Sequence, residues 1–212
     1  LLRDESGRQR PVSWDAALHW EHNRTLADGL RQIAAAAQSK APGSWIVVGG
    51  GWVPTQFAEM RFPTRAELDA IAPQHPVYIQ YLRQGALLNA AALAAIGITR
   101  QTADPAGGRI EKNPETGVLT GWLQGAAARE LADNKIPRLT LAEARQSLRN
   151  CFRELNRLGI TSVGDMHTGG VTFAHRRLLA DMARTGGRTV YTETRLARLA
   201  APVVHAVAGA DR

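Results

Sequence analysis

Two polar residues that suit substrate or metal chemistry lie at the end of an apolar, β-rich segment at residues 160–165: Asp165 ends the segment, and His167 follows it. Loops that follow the strands of parallel α/β proteins carry many binding residues, because the strands hold these loops at one edge. A carboxylate and an imidazole can both bind a metal, but two ligands are too few for a closed site. Asp165 has an alternative role as the cap of the next helix, whose N-terminus attracts carboxylates. For His167 the alternative is an ordinary surface loop.

A second polar group, Arg83, Gln84 and Asn89, lies between a predicted strand and a predicted helix. A polar turn in which Asn89 bonds to the backbone accounts for these residues without any ligand. Two tryptophans, Trp52 and Trp122, offer large apolar area and one donor each, which suits either the wall of a substrate pocket or the core.

Composition limits the classes of function that the chain can have. Its 212 residues are 44% hydrophobic, which is enough for one sizeable domain or a small domain plus part of another. Cys151 is the single cysteine, so neither an internal disulfide nor a cysteine zinc cluster can form within one chain. The net charge of +7 comes from arginines spread among acidic residues, without the basic runs and interleaved aromatics that bind nucleic acid. We therefore expect neither a nucleic-acid nor a membrane partner, and a homo-oligomer is compatible with the sequence.

The first two thirds of the chain predict an α+β arrangement. Apolar spacing predicts a helix over 26–38, and Thr64 with Glu67 forms a capping box that starts a short second helix. His75, between two prolines, is expected in an exposed loop. The remaining predictions are strands at 45–48 and 77–82, a helix over 86–96 that ends at Gly97, and a β-hairpin of 109–112 with 118–121.

The last third predicts parallel strands. Thr140 and Glu143 form another capping box, and apolar residues recur every three or four positions from there to Leu158. A strand at 160–165, a helix over 171–184 and a strand at 189–194 follow, and this order implies a right-handed crossover. The tail from residue 196 has no clear partner and is expected to be loosely held.

Four stretches, in this order, resemble amidohydrolase family 3, the branch of the amidohydrolase superfamily that includes the N-substituted formamide deformylases. They are WIVVGGGW at 45–52, FPTRAELDAIAPQHPV at 62–77, LNAAALAAIGITRQTADPAGGRI at 88–110 and GITSVGD at 159–165. With Thr120-Gly121-Trp122-Leu123 between them, the resemblance covers residues 24 to 190.

The resemblance implies an α/β fold, a partial (β/α)8 barrel of the TIM type with an inserted α+β cap subdomain. The cap would span 24–138 and the barrel units 139–195, leaving 1–23 unassigned. Asp165 and His167 would then face the mouth of the barrel. Arg83, Gln84 and Asn89 would join them as substrate-binding residues, because this neighbourhood lies over the substrate in the family. Trp52 is a further candidate for substrate binding, because its indole offers apolar area and one donor.

The implied activity is hydrolysis of a non-peptide C–N bond in a small amide or formamide, through water activated by a divalent metal, with zinc expected. No His-x-His metal pair occurs in the sequence, so no metal is expected in this chain alone, and its catalytic residues are unknown. We therefore expect an internal fragment that is inactive by itself. The alternative is a non-catalytic or decayed binding domain of the same fold. A cytoplasmic location is expected, or a periplasmic one if an N-terminal signal has been lost.

Overall fold

The computed structural model describes residues 17–82, 84–137, 139–165, 182, 184 and 191–194. Its strands are β1 (Ala17–Leu18), β2 (Ile46–Val48), β3 (Val77–Tyr81), β4 (Gly85–Leu88), β5 (Arg109–Lys112), β6 (Leu119–Gln124), β7 (Ser162–Asp165) and β8 (Tyr191–Thr194). Its helices are α1 (Leu26–Ser39), α2 (Arg65–Ile71), α3 (Ala90–Ile96), α4 (Gly125–Asp133) and α5 (Leu141–Arg157).

Six strands form one mixed sheet in the order β1-β2-β3-β4-β6-β5. The first three strands are parallel, whereas β4 pairs antiparallel with both β3 and β6, and β5 pairs antiparallel with β6. The carboxyl ends of β3 and β6 therefore lie at the same edge of the sheet, beside the first residues of β4 and β5. The protein thus has an α/β architecture with a mixed sheet.

The two faces of this sheet are covered by different helices, because neighbouring strand residues point to opposite sides. Ile46 and Val48 of β2 pack with α1, α2 and the rings of Trp20, Trp52 and Phe57. Val47, between them, packs on the opposite face with α3 and α4. The result is a three-layer arrangement in which both faces of the central strands are buried.

The capping boxes predicted from the sequence fix the helix starts. The Thr64 hydroxyl accepts from the Glu67 N–H, and the Glu67 carboxylate accepts from the Thr64 N–H at 2.8 Å. Thr140 and Glu143 repeat the motif at the start of α5. Both predictions are confirmed, as are the helix at 26–38, the strands at 45–48 and 77–82, and the hairpin formed by β5 and β6.

Two sequence-based predictions are wrong. The helix predicted over 86–96 begins only at Ala90, because residues 85–88 form the buried strand β4 between β3 and β6. His75 is only 4% exposed, and its ring nitrogen lies 3.0 Å from the Ser44 carbonyl oxygen. Local spacing could not reveal either feature, since both depend on partners distant in the chain.

The last third contains the predicted parallel pair, in which Ser162 lies opposite Tyr191 and Asp165 opposite Thr194. Val163 packs with the apolar stripe of α5 and with Met182. The helix predicted over 171–184 lies mostly outside the described residues, although Met182 and Arg184 are helical. The 196–212 tail and most of the 1–23 segment also lie outside them.

Within the described residues, no helix combines the length and the apolar character needed to cross a bilayer.

Candidate functional site

A cleft of about 420 Å³ opens at the sheet edge where β3 and β6 end. This volume is within the range of roughly 300–1,000 Å³ typical of small-molecule sites. Aromatic rings, side-chain amides and one carboxylate surround it: Phe62, Tyr81, Gln84, Gly85, Glu111, Trp122 and Gln124.

The strand register brings these residues together. Tyr81 lies opposite Gly85 across the β3–β4 pair, and Gly85 lies opposite Gln124 across the β4–β6 pair. Trp122 is two residues before Gln124 and therefore points to the same face of the sheet. A side chain at position 85 would collide with the Leu123 carbonyl oxygen, so glycine permits the close approach of β4 to β6 here.

Three aromatic rings form one wall of the cleft in mutually perpendicular planes. Phe62 contacts Tyr81 with ring centroids 4.8 Å apart and planes at 87°, and contacts Trp122 at 5.0 Å and 82°. Tyr81 and Trp122 are 6.4 Å apart at 84°. These are the edge-to-face arrangements that aromatic pairs prefer. The wall is therefore a packed unit whose rings hold one another in place.

Glu111 supplies the negative charge of the cleft. One oxygen of its carboxylate accepts from the Thr120 hydroxyl at 2.5 Å, and the other accepts from the Gln124 amide at 3.0 Å. A carboxylate has about four acceptor positions, so these two bonds orient the group and leave it able to accept from a ligand.

Gln84 lines the cleft from the tight connection between β3 and β4. Its backbone N–H donates to the Tyr81 carbonyl at 3.1 Å, and its carbonyl accepts from the Gly125 N–H at 2.7 Å. The backbone of Gln84 is therefore held at both its N–H and its carbonyl, while its side chain is exposed. Of the residues singled out in the sequence, Gln84 and Trp122 reach the cleft.

Trp52 lies behind the aromatic wall rather than in the cleft. It is 1% exposed, and its indole N–H donates to the Gln80 carbonyl at 2.9 Å. Its ring lies 6.1 Å from Phe62 and 5.8 Å from Tyr81. Trp52 thus supports the wall from the core side.

Asn89 is completely buried and fully hydrogen-bonded to the backbone. Its oxygen accepts from the N–H groups of Val77 and Ala92, and its amide donates to the carbonyls of Ala72 and His75. This arrangement corresponds to the alternative based on backbone bonding, and it leaves no polar atom of Asn89 for a ligand.

The remaining sequence-based site residues cannot be placed. Arg83 and His167 lie outside the described residues, and for Asp165 only the backbone, at the end of β7, is described. Five cleft residues were not singled out in the sequence: Phe62, Tyr81, Gly85, Glu111 and Gln124. The available signal was the two-residue alternation that places Trp122 and Gln124 on one face of β6.

A polar group on the opposite face of the sheet has a structural role. The Tyr78 hydroxyl donates to Asp133 at 2.7 Å, and Arg129 pairs with the same carboxylate at 3.2 Å. Burial raises the pKa of both Tyr78 and Asp133. These bonds attach the end of α4 to β3.

The described residues do not fit a metal centre. Among them, no three side chains of the His, Cys, Asp or Glu types lie close enough together to hold an ion.

Comparison with known proteins finds a family model and two curated relatives that are similar to this chain. The model of the Amidohydrolase family matches residues 11–191. The N-substituted formamide deformylase of Arthrobacter pascens is 34% identical over 145 residues, which are 66% of this chain and 26% of that protein. The putative amidohydrolase YtcJ of Bacillus subtilis (strain 168) is 36% identical over 100 residues, which are 47% of this chain and 19% of that protein.

The chain spans about a fifth to a quarter of the length of these curated relatives. No solved structure matches it. The family match covers most of the chain, including every strand of the mixed sheet and the whole cleft, and confirms the resemblance seen in the sequence. The chain belongs to the amidohydrolase family.

Proposed function

We propose that this chain takes part in hydrolysis of a C–N bond in a small amide or formamide, and that its cleft holds the organic group beside that bond. The observation that carries the proposal is the cleft itself, with an aromatic wall facing one carboxylate and two amides, in a chain of the amidohydrolase family. The Arthrobacter pascens relative is an N-substituted formamide deformylase, which supports a formamide as one substrate type.

The cleft residues would bind and orient the substrate rather than break the bond. The rings of Phe62, Tyr81 and Trp122 provide apolar contact and exclude water, while Gln84 and Glu111 can accept from an amide N–H. Fixing the organic group in this way reduces the entropy lost when the reacting atoms come together. Arg83, Asp165 and His167 stay predicted substrate contacts from other segments.

The fold proposal is a partial (β/α)8 barrel with an inserted cap. Residues 24–138, which contain most of the mixed sheet and the cleft, would form the cap, and residues 139–195 would supply barrel units. The parallel pairing of β7 with β8 supports the second assignment. In this arrangement the cleft would lie over the mouth of the barrel, where the substrate enters.

Amidohydrolases are generally metal-dependent, and a bound divalent metal, with zinc as our candidate, lowers the pKa of a water molecule so that it becomes a nucleophile. Because the sequence has no His-x-His pair and the described residues do not fit a metal, we propose that the ligands are supplied from outside this chain. Elemental analysis of the 212-residue chain after dialysis against a chelator tests this point. Retention of one zinc per chain would overturn it.

The activity is tested on the natural polypeptide that carries this chain, loaded with zinc. We expect release of formate and amine from N-alkyl or N-aryl formamides, and its loss on adding a chelator. Trp122→Leu should raise KM about tenfold with a smaller change in kcat, because it removes substrate contact area. Trp45→Leu is the matched control, since Trp45 packs on the opposite face of the sheet. A metal-loaded protein that binds these amides without hydrolysing any of them would instead indicate a decayed binding domain.

A further inference from the structure

Among the described residues that line the cleft, one negative charge has no positive counterpart. Glu111 is the only formally charged residue among the described residues that line it. The carboxylate bonds to the neutral Thr120 and Gln124 side chains, and among the described ion pairs none involves Glu111. Arg109, two residues earlier on β5, is exposed and is not one of its partners.

The aromatic wall has the geometry that favours a cation. An aromatic face carries negative electrostatic potential and attracts a cation held within about 6 Å of the ring centre. The planes of Phe62, Tyr81 and Trp122 are nearly perpendicular to one another. All three rings line the same cleft as the Glu111 carboxylate, so a cation in this cleft has both aromatic rings and a carboxylate around it.

Hydrogen bonds from neighbouring side chains orient the Glu111 carboxylate without removing its charge. Thr120 and Gln124 hold the two oxygens in a fixed orientation, and neither donor neutralises the charge. The half-buried position of Glu111 reduces the screening of its charge compared with a fully exposed side chain. An anionic group in the same cleft would be repelled by the carboxylate and by the ring faces.

We propose that the cleft of Phe62, Tyr81, Glu111 and Trp122 selects a positively charged group, so that the preferred substrate is an amide or formamide whose amine portion carries an ammonium or trimethylammonium group. The statement about the substrate rests on the proposed function, whereas cation binding in the cleft does not. A neutral alkyl or aryl group would gain the apolar contacts alone.

Binding is tested on the 212-residue chain with two ligands of equal shape, choline and 3,3-dimethylbutan-1-ol, which differ by a quaternary nitrogen in place of a carbon. We expect choline to bind roughly fivefold tighter or more, measured by NMR titration, because only choline gains cation–π and carboxylate interactions. Equal affinities for the two ligands, or tighter binding of the neutral one, would overturn the proposal.

Two cleft variants and one matched control show where the preference for choline arises. Glu111→Gln should remove most of the preference for choline, because it weakens the binding of choline more than that of the neutral alcohol. Glu115→Gln makes the same change of charge in the exposed turn after β5 and should leave the preference intact. Phe62→Leu keeps an apolar side chain but removes one ring, and should weaken choline more than the alcohol. If Glu111→Gln and Glu115→Gln had the same effect, the charge would be acting at long range and the site assignment would be wrong.

The preference for a charged substrate is tested on the natural polypeptide that carries this chain, loaded with zinc. N-(2-trimethylammonioethyl)formamide should have a higher kcat/KM than N-(3,3-dimethylbutyl)formamide. Hydrolysis of the two formamides with equal kcat/KM would contradict the cation proposal but agree with the proposed function. Tighter binding of choline, without hydrolysis of any amide, would contradict the proposed function but agree with the cation site.

Discussion

At the scale of single residues, the interior of this protein is held by polar side chains that bond to distant backbone. Asn89 joins the segment before β3, the N–H of Val77 and the first turn of α3 through four hydrogen bonds. Gln56 has a similar role, since its amide donates to the carbonyls of Trp20 and Asn23. Such bonds specify the paths of loops that have no regular structure of their own.

Replacing Asn89 by alanine should cost about 3 kcal/mol of folding free energy, because buried backbone donors and acceptors lose their only side-chain partner. Urea denaturation measures the loss. Asn113→Ala is the matched control, since Asn113 is exposed and its side-chain oxygen accepts from the Glu115 and Thr116 N–H groups in a turn. That variant should cost about 1 kcal/mol. Equal losses of folding free energy in the two variants would show that the buried hydrogen bonds of Asn89 stabilise the fold no more than the exposed ones of Asn113.

At the scale of elements, the start of α2 also positions part of the cleft. Arg61 donates to both oxygens of the Glu67 carboxylate, at 3.0 and 2.7 Å, and to the carbonyl of Phe62. Glu67 also caps α2 by accepting from the Thr64 N–H. The segment that carries the Phe62 ring is thus tied to the helix at both sides, and the cap contributes to the geometry of the aromatic wall.

The same contacts predict a dependence of stability on pH. The Arg61 guanidinium and the Thr64 donors lower the pKa of Glu67 from 4.5 to about 2. Because the folded-state pKa is the lower one, the stabilisation is present above pH 4.5 and is lost as the pH falls toward 2. Glu67→Gln should therefore cost about 1 kcal/mol at pH 7, since the pair is partly exposed, and nothing near pH 2. A cost that is the same at both pH values would contradict this assignment.

A glycine in β6 permits this strand to lie close to β4, beside the cleft. Gly121 has a φ of 95°, and a side chain there would collide with the Leu88 carbonyl oxygen. Gly117 also has a positive φ, of 65°, but a side chain there would meet nothing within 4 Å. Gly117→Ala should cost about 1 kcal/mol from backbone strain alone. Gly121→Ala should cost at least about 2 kcal/mol more. Equal costs in thermal denaturation would show that close approach is not the reason for glycine at 121.

Elements with strong local signals were predictable from the sequence, and those defined by pairing were not. The capping boxes of α2 and α5 and the glycine end of α3 depend on residues a few positions apart, and all are confirmed. Residues 86–88 were predicted as the start of a helix because alanine and leucine follow one another there, but pairing with β3 and β6 overrides that local preference. The same pairing brings Tyr81 and Glu111 to the cleft, so local patterns in the sequence did not single them out.

At the scale of the whole molecule, the family match and the cleft support one interpretation. The match spans residues 11–191, and the cleft lies at the edge where parallel strands end, the common place for ligands in open α/β sheets. The interpretation is that the mixed sheet presents an aromatic, acidic surface to the organic group of an amide whose C–N bond is broken by amidohydrolase chemistry.

The most direct test of this interpretation is to follow the indole N–H signals of the five tryptophans by ¹⁵N NMR while N-(3,3-dimethylbutyl)formamide is added to the chain. Comparison with Trp122→Phe assigns the cleft signal. The account predicts that the Trp122 signal shifts and saturates, whereas that of Trp45, on the other face of the sheet, does not move. A Trp122 signal that stays unchanged at saturating amide, or a saturable shift at Trp45 alone, would contradict it.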